Sequence, residues 1–529
     1  MYDICIVGSG AGASPIAYEL SKAGAKVIVL EKGEFYKKED FSKDEIAYNR
    51  RDIVTPPLKD EFHIIEELVD GKWESTTTTQ SNWNFWNGNI VGGSSNFMSG
   101  FFHKLHPDDL KLKTKFGDID GANIFDWAID YDQLSPYYDK VKKIVGVTTN
   151  TREHPISNLF DKSARKLNLT PIVTPRAILS NKTKHRDGCY YSNYCGSYGC
   201  SSGAKGSARE SLLEPALKTG NLTIILNAYV TKLISKNSKV TKAKYIDKSS
   251  NTTKEIKAKI FVVASQAIES SRLLLNSSNK EYPNGLANSS GQVGKNLLFS
   301  GGGIITGEFD GSKNISLDDL KVEGFFVNRA IKDWYFLDKN TKGGLVEALF
   351  EHANPIRKAN SVKWDEEGTL VWGDDIYKKL DYKFNRSKRL DFEIFNDWLP
   401  NDNCFVTVDK NIKDKYGVSV AKIRIGSHPQ NEKVGDQLAV KSIELLKQMG
   451  AKNISGSISP YPPQNLQAGG CRFGLDPKTS VLDKNCKAHD VQNLFVTDGS
   501  FMPTGGSVPY TYTIYANSFR VADHIKKLI

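Results

Sequence analysis

The chain has 529 residues, of which 39% are hydrophobic and 25% charged, the composition of an ordinary globular protein. It lacks the run of roughly 18 apolar residues that a membrane-spanning helix needs, so we expect no transmembrane span. The net charge of +10 is spread among 61 acidic residues rather than collected in a basic arm, which argues against nucleic acid as a partner.

The chain begins with the pattern of a mononucleotide-binding unit. An apolar run at residues 4–7 leads into a glycine-rich turn at 8–13, a helix-patterned stretch follows, and a second apolar run ends at Glu31. In such a unit the turn brings backbone N–H groups at the start of the helix towards a pyrophosphate. Met1 lies directly before the first run and leaves no room for a signal peptide, so we expect a cytoplasmic protein.

Several positions of this unit have a physical task of their own. Gly8 allows the sharp bend, Gly10 lets the backbone approach the pyrophosphate, and Ala13 lets the helix pack on the strand. Glu31 stands where a carboxylate accepts hydrogen bonds from both ribose hydroxyls and repels a 2′-phosphate. The dinucleotide contacts predicted from this unit are Gly8, Ser9, Gly10, Ala11, Ala13 and Glu31.

The next part of the chain alternates between irregular, helical and strand patterns. Residues 34–85 are polar and are predicted to be an irregular excursion from the first domain, and a Gly/Ser-rich loop follows at 88–100. The periodicity then predicts helices at 108–147, 207–218 and 267–275 and strands at 222–227 and 260–264.

From about residue 301 to 459 the pattern changes. Short alternating runs at 302–307, 343–350 and 404–408 predict an antiparallel sheet, and 433–449 is an amphipathic helix. After Cys471 a strand at 494–498 and a helix at 511–528 restore the α/β pattern. We therefore expect the N- and C-terminal segments to share one sheet, with a second domain inserted between them.

Five further motifs are spaced along nearly the whole chain. They lie at residues 88–95 (Gly-Asn-Ile-Val-Gly-Gly-Ser-Ser), 261–273, 293–297, 469–477 and 493–500. Together with the first unit, in this order and spacing, they resemble the motifs of the glucose–methanol–choline oxidoreductase family, whose members bind FAD.

The resemblance implies a fold and a set of cofactor contacts. The implied fold is α/β, with an interrupted Rossmann-like FAD-binding domain (residues 1–50, 186–300 and 475–529), a flavin-facing loop and lid region (51–185), and an inserted antiparallel-sheet-plus-helix substrate domain (301–474). It also implies that the 92–95 loop lies against the FAD pyrophosphate and that the backbone of Val230 holds the adenine. The implied FAD contacts beyond the first unit are Gly92, Gly93, Ser94, Met98, Val230, Ala264, Asp498, Gly499 and Tyr510.

The chain departs from the family at the catalytic positions. Family members oxidise an alcohol carbon with a histidine base, helped by a second His or Asn, and the matching positions here are Leu466 and Pro509. Neither side chain can accept a proton. A register slip of one or two residues would bring Asn465 or Gln467 to the site, and Tyr510 is a further local candidate; His103, His106, His352, His428 and Tyr512 are candidates for a base from elsewhere. The other two explanations are a substrate that needs no base and a flavin that only relays electrons.

Three cysteines, Cys189, Cys195 and Cys200, lie within twelve residues rich in Gly and Ser. In a cytosolic chain such spacing favours soft-metal ligation over a disulfide. Some bacterial sugar and polyol dehydrogenases of the family carry a three-iron four-sulfur cluster in the equivalent segment, at a slightly different spacing. An iron–sulfur cluster, zinc with His185 as a fourth ligand, and unligated thiols remain open.

The resemblance implies an FAD-dependent oxidoreductase that oxidises a small polar substrate, such as a sugar, a polyol or another alcohol, by hydride transfer to flavin N5. Electrons would leave through the cysteine site to an external acceptor or a small partner subunit. The alternative is an electron-transferring or non-catalytic flavoprotein that has lost the alcohol-oxidising base.

Overall fold

The structure is a computed structural model that describes residues 1–45, 60–81, 83, 85–365 and 367–529. Parts of three predicted segments, 1–50, 51–185 and 301–474, therefore lie outside the described residues. Within the described part, none of the helices combines the length and the apolar character that crossing a bilayer demands.

Strands and helices alternate along the described chain. The strands are β1 (Tyr2–Val7), β2 (Val27–Leu30), β3 (Ile64–Val69), β4 (Lys72–Thr77), β5 (Pro171–Val173), β6 (Leu222–Ile225), β7 (Ala228–Lys236), β8 (Lys239–Asp247), β9 (Thr252–Ile256), β10 (Ala258–Val263), β11 (Leu297–Leu298), β12 (Ser300–Phe309), β13 (Arg329–Ile331), β14 (Phe336–Asp338), β15 (Thr341–Lys342), β16 (Gly344–Phe350), β17 (Lys388–Asp397), β18 (Phe405–Lys413), β19 (Ser419–Ile425), β20 (Lys452–Ile458), β21 (Ala468–Gly469) and β22 (Leu494–Val496). The α-helices are α1 (Ser14–Lys22), α2 (Thr78–Ser81), α3 (Leu112–Phe116), α4 (Tyr131–Val141), α5 (Ile156–Lys166), α6 (Glu214–Leu217), α7 (Ala267–Asn276), α8 (Leu317–Leu320), α9 (Pro355–Asn360), α10 (Asp374–Asp381), α11 (Pro429–Met449) and α12 (Thr511–Ile525).

A five-stranded parallel sheet in the order β22-β10-β1-β2-β6 forms the centre of the first domain. Its strands are continuous apolar runs, because a parallel sheet is covered on both faces. One apolar core contains these strands, helices α1 and α12, and residues of the antiparallel β7-β8-β9 sheet. The chain leaves β1 towards β2 on one side and returns as β10 on the other, so the strand order reverses between β1 and β10. Ligands bind at such a reversal, outside the carboxyl ends of the strands.

The second domain is built on a six-stranded antiparallel sheet in the order β20-β12-β17-β16-β13-β5. One face of this sheet packs against α5 and α11 in a separate apolar core. The predicted fold class is confirmed: a parallel sheet assembled from both ends of the chain, with an antiparallel sheet and helices inserted.

Two local predictions are wrong in part. The predicted helix at 108–147 is interrupted, because Gly117 and Gly121 adopt positive φ values of 74° and 77°, which a helix does not allow. The excursion predicted as irregular contains the hairpin β3–β4, and β3 pairs in parallel with β19 in a four-stranded sheet. The pairing partner is more than 350 residues away in sequence, so local patterning gave no sign of it.

Candidate functional site

One large cavity opens at the carboxyl ends of β1 and β10 and continues beneath the six-stranded sheet. Most of the predicted cofactor residues line it: Gly8, Ser9, Gly10, Ala11, Glu31, Gly93, Ser94, Met98, Val230, Ala264, Asp498, Gly499 and Tyr510. Ala13 and Gly92 do not line the cavity themselves but directly adjoin residues that do. Ala13 is buried at the start of α1, and the Gly92 N–H donates to Ser9 Oγ at 2.9 Å.

The glycines of the first turn differ in what surrounds them. Gly8 has φ +90°, and a Cβ there would lie 2.4 Å from the carbonyl oxygen of Ala264. A Cβ on Gly12 would lie 2.6 Å from the backbone nitrogen of Asp498. A Cβ on Gly10 would meet no atom within 4 Å, because this residue faces the open cavity. Gly8 and Gly12 are therefore needed by the fold, whereas Gly10 leaves room for a ligand.

Glu31 is connected to the second glycine loop through Ser9, whose Oγ also accepts from the Gly92 N–H. Its buried carboxylate accepts a hydrogen bond from Ser9 Oγ and another from the N–H of Gly33 at 2.9 Å. Burial raises the pKa of Glu31, although these two donors act in the opposite direction. In the second loop, a Cβ on Gly93 would lie 3.3 Å from the Gly10 Cα, so the two loops meet at one end of the cavity.

A buried network of charges borders the cavity beside Val230. Lys32 Nζ lies 2.6 Å from Glu61, and Arg272 Nη2 lies 2.7 Å from Asp414. Burial disfavours ionisation of Glu269, but Arg272 and His63 outweigh it and hold the pKa of Glu269 well below its ordinary value. Because Lys32, Arg272 and Glu269 line the cavity, the network fixes its wall as well as the fold.

Asp498 lies at the turn that follows β22. Its carboxylate accepts hydrogen bonds from the N–H of Ser500 at 3.0 Å and from Ser270 Oγ at 2.5 Å. Burial raises the pKa of Asp498 against these donors. The aspartate thus ties α7 to the segment that follows β22.

The residues at the expected catalytic positions all line the cavity. Leu466 has φ +56°, the left-handed region that non-glycine residues rarely adopt. The Gln467 amide donates to Gln464 O at 2.7 Å and accepts from Gln266 Nε2 at 2.8 Å, so both ends have protein partners. Asn465 Oδ1 is buried without a partner among the described residues. Of the local replacements, Asn465 has an acceptor that the protein leaves unused.

The aromatic hydroxyls are poor candidates for the base. The Tyr510 hydroxyl donates to the carbonyl of Phe299, and burial raises its pKa well above its ordinary value. The Tyr512 hydroxyl donates to Tyr138 O at 2.8 Å, and burial raises its pKa too.

The histidines proposed from sequence fall at different places. His352 lines the cavity, and a Cβ on Gly196 would lie 2.4 Å from its Nε2. His103 is buried and its Nε2 lies 2.9 Å from Glu347 Oε2. His106 and His428 cap helical turns outside the cavity.

Sequence reasoning missed two cavity residues on β17, Glu393 and Phe395. The sequence signal that could have revealed them is the alternation along β17 between residues of the apolar core and residues of the opposite face. Leu390, Phe392 and Ile394 belong to the apolar core on one face of the sheet, which leaves Glu393 and Phe395 on the other.

The three clustered cysteines line a separate small cavity together with Lys205. The N–H of Tyr191 donates to Cys189 Sγ at 3.3 Å, and Lys205 Nζ donates to the carbonyl of Cys195 at 2.7 Å. Burial acts to raise the pKa of Cys200, but the Lys205 charge and the Ser202 hydroxyl outweigh it and lower that pKa. In the part of the chain that the structure describes, no group of three or more His, Cys, Asp and Glu could hold a metal ion.

Comparisons with known proteins agree on one family. The N- and C-terminal models of GMC oxidoreductase match residues 65–299 and 400–518. The chain is 28% identical to 2-methyl-1,2-propanediol dehydrogenase of Mycolicibacterium austroafricanum, over 99% of this chain and 95% of that protein. It is 27% identical to paromamine 6′-oxidase of Streptomyces fradiae, over 99% and 91%. A solved structure of a formate oxidase from Aspergillus oryzae RIB40 has the same fold, with a TM-score of 0.68, 14% identity, and coverage of 100% of this chain and 98% of that one.

Proposed function

Because the chain belongs to the GMC oxidoreductase family, whose members act on CH–OH groups, we propose that it oxidises a small polar alcohol, such as a sugar or a polyol, with FAD as the hydride acceptor. The observation that carries this proposal is the continuous cavity, lined at one end by the glycine turn and Glu31 and at the other by Glu393 and Phe395. A dinucleotide fits the first end and a small substrate the second.

The donor set suits FAD. Gly10 leaves space for a pyrophosphate beside the start of α1, and the buried Glu31 carboxylate can accept from ribose hydroxyls. Asp498 and Gly499 would face the ribityl–phosphate end, and the backbone near Tyr510 would face the flavin ring. When bound, FAD supplies the two-electron acceptor for the alcohol carbon. The protein's own tasks are to orient the substrate, to exclude water and to take up the hydroxyl proton.

Substrate size and polarity are proposed from the cavity and the relatives. The relatives' names specify a diol and an amino sugar, both of which carry hydroxyl groups. Asn465 Oδ1, which no described residue satisfies, offers an acceptor for a substrate hydroxyl.

We further propose that Cys189, Cys195 and Cys200 bind an iron–sulfur cluster through which electrons reach an external acceptor. The support is that all three line one cavity and that the Lys205 cation stands beside them, where it would offset thiolate and sulfide charge. Neither these three cysteines nor any other group of His, Cys, Asp and Glu among the described residues forms a ready-made metal site, so the proposal requires the cysteine segment to rearrange when the cluster assembles.

Anaerobic mixing of the FAD-loaded protein with a panel of sugars, polyols and amino alcohols tests the oxidation. We expect at least one to bleach the flavin absorbance at a rate that saturates with substrate concentration. Absence of bleaching with every compound would favour the electron-relay alternative.

Iron and acid-labile sulfide analysis of anaerobically purified protein tests the cluster. We expect Cys195→Ser to lose both elements while it retains FAD. Cys404→Ser, at a buried cysteine in another part of the core, is the matched control and should retain all three.

A further inference from the structure

Two glutamates lie side by side on adjacent strands of the six-stranded antiparallel sheet. Glu347 of β16 and Glu393 of β17 are direct partners in the antiparallel register. Both point away from the core formed by α5 and α11, because their strand neighbours Val346 and Phe392 belong to that core. The sheet therefore presents two carboxyls, one strand apart, on the face turned towards the cavity.

Glu393 is the member of the pair that lines the cavity. No described residue donates a hydrogen bond to its carboxyl or forms an ion pair with it, although burial makes an unsatisfied charge there costly. Glu393 itself is only partly buried, and its register partner on the other side, Ile304, is 44% exposed, so solvent reaches the sheet face beside Glu393. The carboxyl is thus aimed at the space a ligand would occupy, with a route for protons outward.

Glu347 is buried behind Glu393, and each oxygen of its carboxyl has a protein partner. It is 0% exposed, it accepts a hydrogen bond from Thr174 Oγ1, and its Oε2 lies 2.9 Å from His103 Nε2. Burial raises the pKa of Glu347 to about 8, against the Thr174 hydrogen bond and the charges of Arg176 and Lys332. Burial also lowers the pKa of His103 well below its ordinary value, so the pair is uncharged at neutral pH.

Two carboxyls act on the ionisation of Glu393. Burial is the main cause that raises the pKa of Glu393 to about 8, and Glu347 and, on the same strand, Asp391 contribute to the extent that they are ionised. Asp391 is paired with Arg389 at 2.6 Å, and His352 lines the same cavity. A base works best when its pKa lies close to the working pH, and a carboxyl with an ordinary pKa is a weak base there.

Glu393 lines the same cavity as Leu466 and Pro509, the positions where the resemblance places the family's base and its partner. Phe395, two residues along the same strand face, belongs to the core that contains Tyr510 and against which Leu466 packs. The Tyr510 hydroxyl binds the carbonyl of Phe299, next to β12, and Gly302 of β12 is the register partner of Phe395. Contacts through Phe299 and Gly302 therefore connect the strand of Glu393 with the segment of Tyr510 and Pro509.

We propose that Glu393 is the general base for alcohol oxidation in this protein, and that Glu347 acts on it as a positioning residue. The inference rests on the proposed function. The substrate O–H bond breaks and its proton goes to the Glu393 carboxylate. The C–H bond breaks as a hydride, which reduces the flavin, and the carbinol carbon is oxidised to a carbonyl. The proton then leaves to solvent water, which reaches the partly buried Glu393.

The test compares Glu393→Gln and Glu347→Gln with Glu308→Gln, an acid on β12 that bonds Ser387 and Asn453 outside the cavity. With a neutral polyol and a matched amino alcohol as substrates, we expect Glu393→Gln to lower the rate of flavin reduction by about 10²- to 10⁴-fold for both. Glu308→Gln should keep the wild-type rate.

The pH profile and an infrared titration give readouts that a structural role would not change. The wild-type reduction rate should rise with pH through a midpoint near pH 8 and level off only above it, since the ionised carboxyl is the active form. In Glu347→Gln the midpoint should move to lower pH, because Glu347, which ionises in the same range, no longer opposes the ionisation of Glu393. In infrared spectra of the protein without substrate, a protonated-carboxyl band should titrate near pH 8 in the wild type and be diminished in Glu393→Gln.

Three results would overturn the inference. Glu393→Gln could be reduced within about threefold of the wild-type rate, although general bases contribute far more. The loss could be confined to the amino alcohol, which would make Glu393 a binding site for the substrate's ammonium group. The infrared band could be unchanged in Glu393→Gln. If no alcohol reduces the wild-type flavin, the proposed function itself fails and the base assignment fails with it.

Discussion

Replacing Glu347 by Gln should change how the free energy of unfolding depends on pH. Glu347 ionises at about 8 in the folded protein, against an ordinary pKa of 4.5 that applies once the chain is unfolded. Each unit of pKa difference changes the free energy of unfolding by about 1.36 kcal/mol, so the difference between these two pKa values corresponds to about 5 kcal/mol. This is an upper limit, because it assumes that nothing rearranges when the carboxyl ionises.

The sign follows from which state holds the proton. Between pH 4.5 and about 8 the unfolded chain has released the Glu347 proton while the folded protein keeps it. The wild type therefore loses stability as pH rises through this window and loses no more above it. The glutamine introduced by Glu347→Gln cannot ionise, but its amide can still accept from Thr174 and donate to His103. The stability of this variant relative to wild type should rise by up to about 5 kcal/mol across the window.

Denaturant unfolding followed by tryptophan fluorescence, at intervals from about pH 5 to about pH 9, measures this difference. Glu66→Gln is the control with the opposite sign. Burial alone would raise the pKa of Glu66, but Lys422 and Arg424 outweigh this effect and lower that pKa. That variant should be less stable than wild type, by an amount that does not grow in this pH range. A constant difference between Glu347→Gln and wild type would mean that Glu347 is ionised beside a charged His103, and would refute the reasoning.

Two further substitutions separate cofactor binding from folding, and a third tests the buried charges. Gly10→Ala adds a methyl group that meets no protein atom, so the fold should keep its stability while FAD binds about 10- to 100-fold more weakly, measured by flavin fluorescence titration. Gly12→Ala places its Cβ 2.6 Å from the Asp498 backbone and should lower stability by about 1–3 kcal/mol even without FAD. Arg272→Met leaves the buried carboxylate of Asp414 without its cation and should cost about 3–5 kcal/mol in denaturant unfolding, and a loss below about 1 kcal/mol would show that water compensates that charge.

The parts of the fold that sequence reasoning found are those that depend on neighbouring residues. The β1–α1–β2 unit and Glu31 occupy one contiguous stretch in which every position has a local physical reason. The hairpin β3–β4 was missed because its polar strands are stabilised by β19, which lies far along the chain. Glu393 was missed for a similar reason: its importance comes from Glu347 across the sheet and from the cavity, and neither is visible in the strand's own sequence.

Leu466 stands where the resemblance places the family's histidine, in a turn of unusual backbone shape. It adopts the left-handed region, at a cost of roughly 1–2 kcal/mol for an L-residue, while the Gln467 amide holds the turn through Gln464 and Gln266. Partial burial of a carboxyl disfavours its charged form and so raises its pKa. A fully solvated Glu393 would ionise near pH 4.5 and be a weak base, so its proposed role depends on the partial desolvation of its side chain.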